Sequence, residues 1–280
     1  MKKAEYMKSR TLAHIFLMPL VVAGLFFFFS PISTTASSNI SMASDENFHK
    51  NLDSKSRSAV VLISAEINVL PEEDETESPM GISPDPDFIH AVYTKTFINK
   101  DFKVVQQFNT GTGFIISHDG FILTNYHIIK SYKSVRVRLS DGRVFPADVI
   151  KYQDREDIAF LKIRTDSPAS FPSLALGNSF TAERADRIIV IGHPFRLDWT
   201  LSVGTISGLG RMVSVHPSGL IQVQSSINPG NSGSPLINSR GEVIGIIQSM
   251  PINSSGIGFA IPINFVIDAM PFLKNVNKQR

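Results

Sequence analysis

The sequence contains no cysteine among its 280 residues. This absence excludes disulfide bonds, cysteine nucleophiles and thiolate metal sites together. The seven histidines include no His-Glu-x-x-His pattern, the arrangement that holds zinc in one large class of metalloproteases. The sequence therefore predicts no metal ion and no other cofactor.

An excess of charge of one sign is also missing. Lysine and arginine number 27 against 25 aspartates and glutamates, and the net excess lies in the first ten residues, where four basic residues face one glutamate and leave the remainder of the chain at about −1. Without a basic face, nucleic acid is not a predicted partner. A hydrophobic fraction of 42% with 19% charged residues is that of a folded protein. It excludes both general disorder and a polytopic membrane protein.

One long apolar run is present, from Leu12 to Phe29, between a basic N-terminus and a stretch rich in serine and threonine. This pattern is typical of an export signal. As a helix the run would extend roughly 27 Å, close to the thickness of a hydrocarbon core, which favours an uncleaved membrane anchor. Cleavage after Ala36 or after Ala43 is the alternative. Residues 1–43 are assigned to this signal or anchor, with the rest of the chain outside the cytoplasm.

The body of the chain predicts an all-β protein. Two series of about six short β-branched runs indicate two six-stranded antiparallel β-barrels, at about 56–164 and about 186–262. Proline and a scarcity of β-branched residues make Thr165–Asp186 the predicted linker between them. A short C-terminal helix is expected from Asn264, as its cap, with Pro271 kinking or shortening it. The predicted strands are Ala59–Ile67, Gly113–Ser117, Phe121–Asn125, Ser134–Leu139, Val144–Tyr152, Ile158–Ile163, Arg187–Ile191, Thr200–Ser207, Leu220–Gln224, Leu236–Asn238, Val243–Ser249 and Gly256–Ile261.

One stretch does not fit a strand. Residues Pro71–Asp87 contain seven acidic residues and four prolines, so charge repulsion and missing backbone donors predict an extended loop. A solvated insertion is the simpler interpretation. A role in regulation or in oligomer contacts is the alternative.

Residues 228–235 read Asn-Pro-Gly-Asn-Ser-Gly-Ser-Pro and place Ser232 in a turn that leads into a strand. Such a turn can expose a nucleophile, and Gly230 lets its own N–H and that of Ser232 converge as an oxyanion hole. The α/β-hydrolase elbow is disfavoured because Ser234 replaces its last glycine and no helix follows. Taken alone, the same residues also suit a hairpin loop of any β protein.

A serine nucleophile needs a base, and the base needs an orienting carboxylate. His127 is favoured among the histidines because it ends the apolar run from Phe121, where a buried strand meets a turn. Asp157 is favoured over Asp154 and Glu156 because it directly precedes the apolar strand at Ile158. The chain order His127, Asp157, Ser232 is that of the chymotrypsin-type arrangement.

The chain also resembles a known family, the HtrA (Deg) family of exported serine endopeptidases with the trypsin fold. The resemblance runs from about Ser56 to Phe272 and assigns residues 44–277 to one protease domain. It implies a triad of His127, Asp157 and Ser232, with Gly230 and Ser232 as oxyanion donors. The segments that carry it are Gly111–Ile116, Leu123–His127, Asp157–Lys162, Ile191–Phe195, Asn228–Gly233 and Gly256–Pro262.

The resemblance further implies hydrolysis of unfolded or damaged proteins at the periplasmic face of the inner membrane, or in the periplasm if the leader is cleaved. It implies a homotrimer formed through residues around Phe48 and the loop from Pro71 to Phe88. Gly208–Gly219 falls where the family has an activation-sensing loop. Because the chain stops at Arg280, no PDZ domain is expected. Ser234 departs from the family's usual glycine, and a non-catalytic peptide-binding or chaperone-like module is the alternative function.

Substrate preference is predicted from the residues around the nucleophile. Ser226 lies six residues before Ser232, the position at the bottom of the primary specificity pocket in the chymotrypsin arrangement. No acidic residue lies between Leu220 and Ser232, so a buried lysine or arginine would lack an ion-pair partner. By its place in the family motif, Met250 forms a wall of this pocket, although core packing is an equal alternative. We expect cleavage after small or medium aliphatic residues.

Overall fold

The computed structural model describes residues 49–67, 88–90, 93–98, 104–213, 219–251 and 256–276. The predicted leader, Phe48 and the acidic loop at 71–87 lie outside these ranges. Within the ranges, no helix is both long and apolar enough to cross a membrane.

Fifteen strands are described. In chain order they are β1 (Val60–Ile67), β2 (Phe88–His90), β3 (Tyr93–Ile98), β4 (Val104–Ile115), β5 (Phe121–Thr124), β6 (Tyr132–Arg138), β7 (Val144–Gln153), β8 (Ile158–Ile163), β9 (Ala175–Leu176), β10 (Arg187–Gly192), β11 (Thr200–Arg211), β12 (Leu220–Gln224), β13 (Pro235–Asn238), β14 (Glu242–Pro251) and β15 (Ile257–Pro262). Residues 49–56 are helical. The later helices are α1 (Tyr126–Ile129), α2 (Ile263–Ala269) and α3 (Leu273–Val276), with 3-10 turns at Arg57–Ala59, Ser179–Thr181 and Pro194–Arg196.

The strands form two closed antiparallel barrels of six strands each. In the first, the order β1-β6-β7-β8-β5-β4 is closed by pairing of β4 with β1, and β3 extends β4 outside the ring. In the second, the order β13-β10-β11-β12-β15-β14 is closed by pairing of β14 with β13. The predicted all-β fold with two six-stranded barrels is therefore confirmed.

The barrels are held by strands that bury both faces. In β8, Ala159 and Leu161 point into the first barrel, while Ile158 and Phe160 pack in the layer between the barrels. In β10, Ile188 and Val190 fill the second barrel while Ile189 and Ile191 reach the same shared layer. Because alternate side chains of a strand point to opposite faces, burial on both sides produces the uninterrupted apolar runs seen in the sequence.

Several predicted details needed correction. Asn264 is not the cap of the C-terminal helix; α2 begins at Ile263 after Pro262, and the Asn264 side chain accepts hydrogen bonds from the backbone N–H and hydroxyl of Ser179. The helix does end before Pro271, as expected. The strands β2 and β3 and the first part of β4 were not predicted, and the linker carries β9, which pairs with β14.

Polar contacts join the barrels beside this apolar layer. The indole of Trp199, before β11, donates a 2.8 Å hydrogen bond to the carbonyl of Val60 in β1. The ring of His193, after β10, packs edge-on against Trp199 with centroids 4.6 Å apart. Arg138 of β6 lies over the Trp199 ring and pairs with Asp198. The loop after β10 is thereby attached to the first barrel.

His193 is fully buried in this junction. Its burial, together with the nearby positive charge of Arg138, lowers the pKa of the imidazole from 6.5 to about 3. The folded protein therefore keeps His193 neutral where an unfolded chain would protonate it.

We expect the free energy of unfolding to decrease as the pH falls below about 6.5, because the unfolded chain then binds a proton that the folded chain does not. The contribution of His193 to this decrease should approach about 1.4 kcal/mol per pH unit. Urea unfolding between about pH 7 and about pH 4.5 measures it. The variant His193→Asn, which cannot titrate, should lose stability less steeply; equal slopes in the two proteins would contradict the assignment.

Candidate active site

Pairing between β5 and β8 brings the predicted base and its carboxylate together. Thr124 at the end of β5 lies opposite Ala159 near the start of β8. His127 follows in α1 and Asp157 immediately precedes β8, so both side chains emerge at the same end of neighbouring strands. The side chain of Asn125 donates to the backbone carbonyl of Asp157 at 3.0 Å, which fixes the turn that carries the carboxylate.

Asp157 holds His127 through both of its carboxylate oxygens. Nδ1 of His127 lies 2.8 Å from Oδ2 and 3.0 Å from Oδ1, and the backbone N–H of His127 donates to Oδ1 at 2.9 Å. Because an ionised carboxylate can only accept, Nδ1 carries the proton and Nε2 of the neutral ring is the basic nitrogen. Asp157 is buried, with 6% of the residue exposed, and its carboxylate is therefore paired as a buried charge must be.

The turn that contains Ser232 is docked on the first barrel. The backbone N–H of Thr112 in β4 donates to the Ser232 carbonyl at 2.8 Å, and a methyl group at Gly111 would lie 3.2 Å from that carbonyl while overlapping the side chain of Ile128 in α1. Gly233 has a φ of +81°, and a Cβ there would overlap the carbonyl of Thr112. Ser232 is thus placed beside the helix that carries His127.

The hydroxyl of Ser232 does not point to an imidazole in this conformation. Its single proton is donated to the backbone carbonyl of Gln248 in β14, at 2.9 Å. The whole residue is buried, with 0% of its surface exposed.

The turn presents two backbone donors that are not used for folding. Asn231 donates to the carbonyl of Asn228 at 3.0 Å, but within the described residues no acceptor bonds to the N–H of Gly230 or of Ser232. Gly230 adopts a φ of +105°, open to glycine and strained for other residues. An oxyanion hole requires two free N–H donors near the nucleophile. Here one belongs to the serine itself and the other to the glycine two residues before it.

A strand lies along the edge of β14 just beyond this turn. Residues Phe88–His90 of β2 pair antiparallel with Ser249–Pro251, and His90 lies opposite Ser249, the residue after Gln248.

The other predicted residues have mixed positions. Ser226 is exposed, and its carbonyl accepts from Ser202 at 3.2 Å and from Asn231 at 3.4 Å. Met250 lies in β14, but its side chain falls outside the described part of the chain, so its place in a pocket stays a prediction. The buried Ser234 points its hydroxyl at Gly192, where a Cβ would overlap it, and within the described residues this hydroxyl has no hydrogen-bond partner.

Sequence reasoning missed the contacts made by Thr112, Asn125, His193 and Gln248. The first three lie in segments that were recognised, but no role was assigned to them. Thr112 and Asn125 stand in or beside strands of otherwise apolar character, and a polar side chain in a buried strand was the available signal. Gln248 acts through its backbone carbonyl, for which no sequence signal exists.

Comparison with known proteins agrees with the fold. The Trypsin-like peptidase domain family matches residues 111–246. A relative from Synechocystis sp., named as the serine protease HhoA, is 38% identical over 241 residues, which cover 82% of this chain and 57% of the relative. A DegP-like periplasmic serine endoprotease of Hahella chejuensis is 39% identical over 171 residues, covering 60% of this chain and 36% of the relative. The chain thus spans only part of the length of these relatives.

Solved structures of HtrA-type proteases share this fold. The structure of the HtrA-type protease AlgW with a decapeptide superposes with a TM-score of 0.62 at 28% identity, covering 82% of this chain and 68% of that chain. The structure of AlgW with a tripeptide gives a TM-score of 0.59 at 26% identity, covering 80% of this chain and 63% of that chain. With the two barrels, the order of the predicted site residues and these relatives taken together, the chain belongs to the HtrA family of proteins with the chymotrypsin fold.

Proposed function

We propose that this protein is a serine endopeptidase in which Ser232 is the nucleophile, His127 the general base and Asp157 the carboxylate that orients the base. The observation that carries the proposal is the two-oxygen contact of Asp157 with His127, which leaves Nε2 as the basic nitrogen of the ring. The two unused N–H groups of Gly230 and Ser232 support it.

The chemistry follows from these groups. Oγ of Ser232 attacks the peptide carbonyl as its proton passes to Nε2 of His127, and Asp157 stabilises the imidazolium. The carbonyl oxygen becomes an oxyanion that accepts from the N–H groups of Gly230 and Ser232. His127 then gives its proton to the departing amine, and water hydrolyses the acyl-enzyme by the same steps in reverse.

One rearrangement must precede attack. The Ser232 hydroxyl has to turn from the carbonyl of Gln248, 2.9 Å away, toward Nε2 of His127. A rotation about one side-chain bond is a small change. It also frees the Gln248 carbonyl to accept a hydrogen bond from a substrate N–H.

The variant Ser232→Ala should lose nearly all hydrolysis of an unfolded test protein, by a factor of about 10⁴ or more, because only oxyanion stabilisation and binding remain. A fluorophosphonate probe should label the native protein and not the variant. Ser234→Ala is the matched control, since it removes a buried hydroxyl from the same turn and should leave labelling intact.

Undiminished hydrolysis by Ser232→Ala would disprove the assignment of the nucleophile. Binding of unfolded protein by the native chain, without labelling at Ser232 and without turnover, would instead favour the non-catalytic peptide-binding or chaperone-like module.

For the substrate, we propose unfolded or damaged proteins cleaved after small or medium aliphatic residues. No carboxylate lies between Leu220 and Ser232 to neutralise a buried lysine or arginine. Ser226 and Met250 are the residues proposed to border the primary pocket.

Sequencing of the products from an unfolded test protein should therefore find most cuts after valine, alanine, isoleucine or leucine. Discrimination among them should be weak, since one methylene changes the transition-state binding by only about 1 to 3 kcal/mol. A majority of cuts after lysine or arginine would contradict the proposed pocket.

We further propose export and trimeric assembly. The apolar run Leu12–Phe29 after a basic N-terminus supports export, as do relatives named as periplasmic. An uncleaved leader would anchor the protein in the inner membrane, and a cleaved one would release it into the periplasm. A homotrimer through residues near Phe48 and the loop from Pro71 to Phe88 rests on the family resemblance alone.

Light scattering of a chain that lacks residues 1–43 should give three times the mass of one subunit at micromolar concentration. A strict monomer would contradict the trimer. The mass of the full-length product recovered from cells should include residues 1–43 if the anchor is retained, whereas a mass that begins after Ala36 or Ala43 would show cleavage.

A further inference from the structure

A single hydroxyl connects the loop after β10 to the turn before Ser232. Oγ1 of Thr112, in β4, accepts a hydrogen bond from the backbone N–H of His193 at 3.1 Å. It also lies 3.1 Å from Nδ1 of His193. The same oxygen donates to the carbonyl of Gly230 at 2.8 Å. Thr112 is fully buried, as is His193.

Counting protons fixes the direction of each of these bonds. A hydroxyl has one proton, and here the proton goes to Gly230, so Thr112 must accept from both groups of His193. Nδ1 therefore carries the hydrogen of the neutral imidazole. Nε2 then has no proton to place, in agreement with its lack of a partner within the described residues. The opposite tautomer would take the Thr112 proton and leave both the Gly230 carbonyl and an Nε2–H unsatisfied, which is costlier.

Within the described residues, two hydrogen bonds fix the peptide groups on either side of Gly230, and the bond from Thr112 is the first of them. On the other side, the backbone N–H of Phe195 donates to the carbonyl of Pro229 at 2.7 Å. Because the N–H and C=O of a trans peptide point in opposite directions, this bond directs the N–H of Gly230 away from Phe195. Both peptide planes that flank Gly230 are thus fixed, although glycine itself imposes little restriction on them.

The loop that contains His193, which donates to Thr112, is held in place by several contacts. The ring of His193 packs against Trp199, which is bonded to the first barrel through the carbonyl of Val60. Three residues of the loop that follows His193, namely Phe195, Arg196 and Trp199, have φ values of +52°, +64° and +41°. Such angles are unfavourable for these residue types and persist only where surrounding contacts impose them.

We propose that Thr112, with His193 fixing its proton, is a positioning residue that holds Gly230 so that its N–H aims at the oxyanion of the transition state. This inference rests on the proposed function. Thr112 does not contact substrate; it acts through the Gly230 carbonyl. Removing its hydroxyl should therefore weaken stabilisation of the transition state while leaving ground-state binding of peptide unchanged.

Thr112→Val replaces the hydroxyl with a methyl group of similar size, and Thr112→Ser retains it. The full-length protein is assayed with a peptide substrate that has alanine or valine before the scissile bond. Two further probes are a peptide boronic acid, whose adduct with Ser232 places an oxygen in the oxyanion site, and the matching unreactive peptide amide.

We expect Thr112→Val to lower kcat about 10- to 100-fold and to weaken boronic acid inhibition by a similar factor, since loss of a whole oxyanion donor costs about 10²–10³ in kcat. Affinity for the peptide amide should change less than about threefold, and Thr112→Ser should recover most of kcat. Thr110→Val removes another buried hydroxyl from β4 and should leave the ratio of the two affinities unchanged.

Equal kcat values for Thr112→Val and the native protein would overturn the inference. So would parallel losses of boronic acid and amide affinity, or the same loss in Thr112→Ser, because each would indicate a structural role alone. A native protein that neither turns over the peptide nor binds the boronic acid covalently would overturn the proposed function itself, which distinguishes the two failures.

Discussion

The buried carboxylate of Asp157 is the group on which the arrangement of the site depends. Asp157 is buried, and an ionised carboxylate in such a place cannot be left unpaired without a penalty of about several kcal/mol. The protein satisfies it with the backbone N–H and Nδ1 of His127, both from α1. The charge thereby fixes the orientation of the helix and the tautomer of the ring together. Asp157 itself has a φ of +52°, in the left-handed region that aspartate adopts more often than most residues.

The two barrels meet through an apolar layer and a small number of polar bonds, and the bonds lie beside the Ser232 turn. The layer itself is built from strands such as β8 and β10 that bury both faces, so it contributes hydrophobic stability without fixing any polar atom. Hydrophobic contacts have no preferred direction, whereas hydrogen bonds do. The hydrogen bonds from Thr112 to Gly230 and from Trp199 to Val60 therefore fix the relative orientation of the segments they join. The apolar layer therefore contributes stability, while the hydrogen-bonding residues align the joined segments.

The sequence predicted what depends on local pattern. The barrels followed from apolar runs, because a strand buried on both faces leaves a continuous run, and His127 and Asp157 could be chosen because each adjoins such a run. The strand β2 was missed because it pairs with β14, far along the chain, and because it follows an acidic segment that discourages a strand prediction. The strand β3 was also missed, although it pairs with the next strand, β4. Asn264 is of a residue type that often caps helices, but its side-chain oxygen accepts a hydrogen bond from the backbone N–H of Ser179.

The partners of Thr112 could not have been predicted for a similar reason. The residue lies 81 positions from His193 and 118 from Gly230, and no periodicity links them. Only the closed barrels bring the three together. A buried hydroxyl in a strand signals that some partner exists, but the identity of the partner is a property of the fold.

The pairing of β2 with β14 has a consequence for any extended chain that approaches Ser232 along the same edge. Backbone groups of Ser249–Pro251 that bond to Phe88–His90 cannot bond to a second strand at the same time. The incoming chain must therefore compete with a segment of the same molecule for these backbone groups. Its apparent affinity is then its intrinsic affinity multiplied by the fraction of molecules in which the edge is free. Occupancy of this strand edge by β2 therefore raises the ligand concentration that is needed for half-saturation.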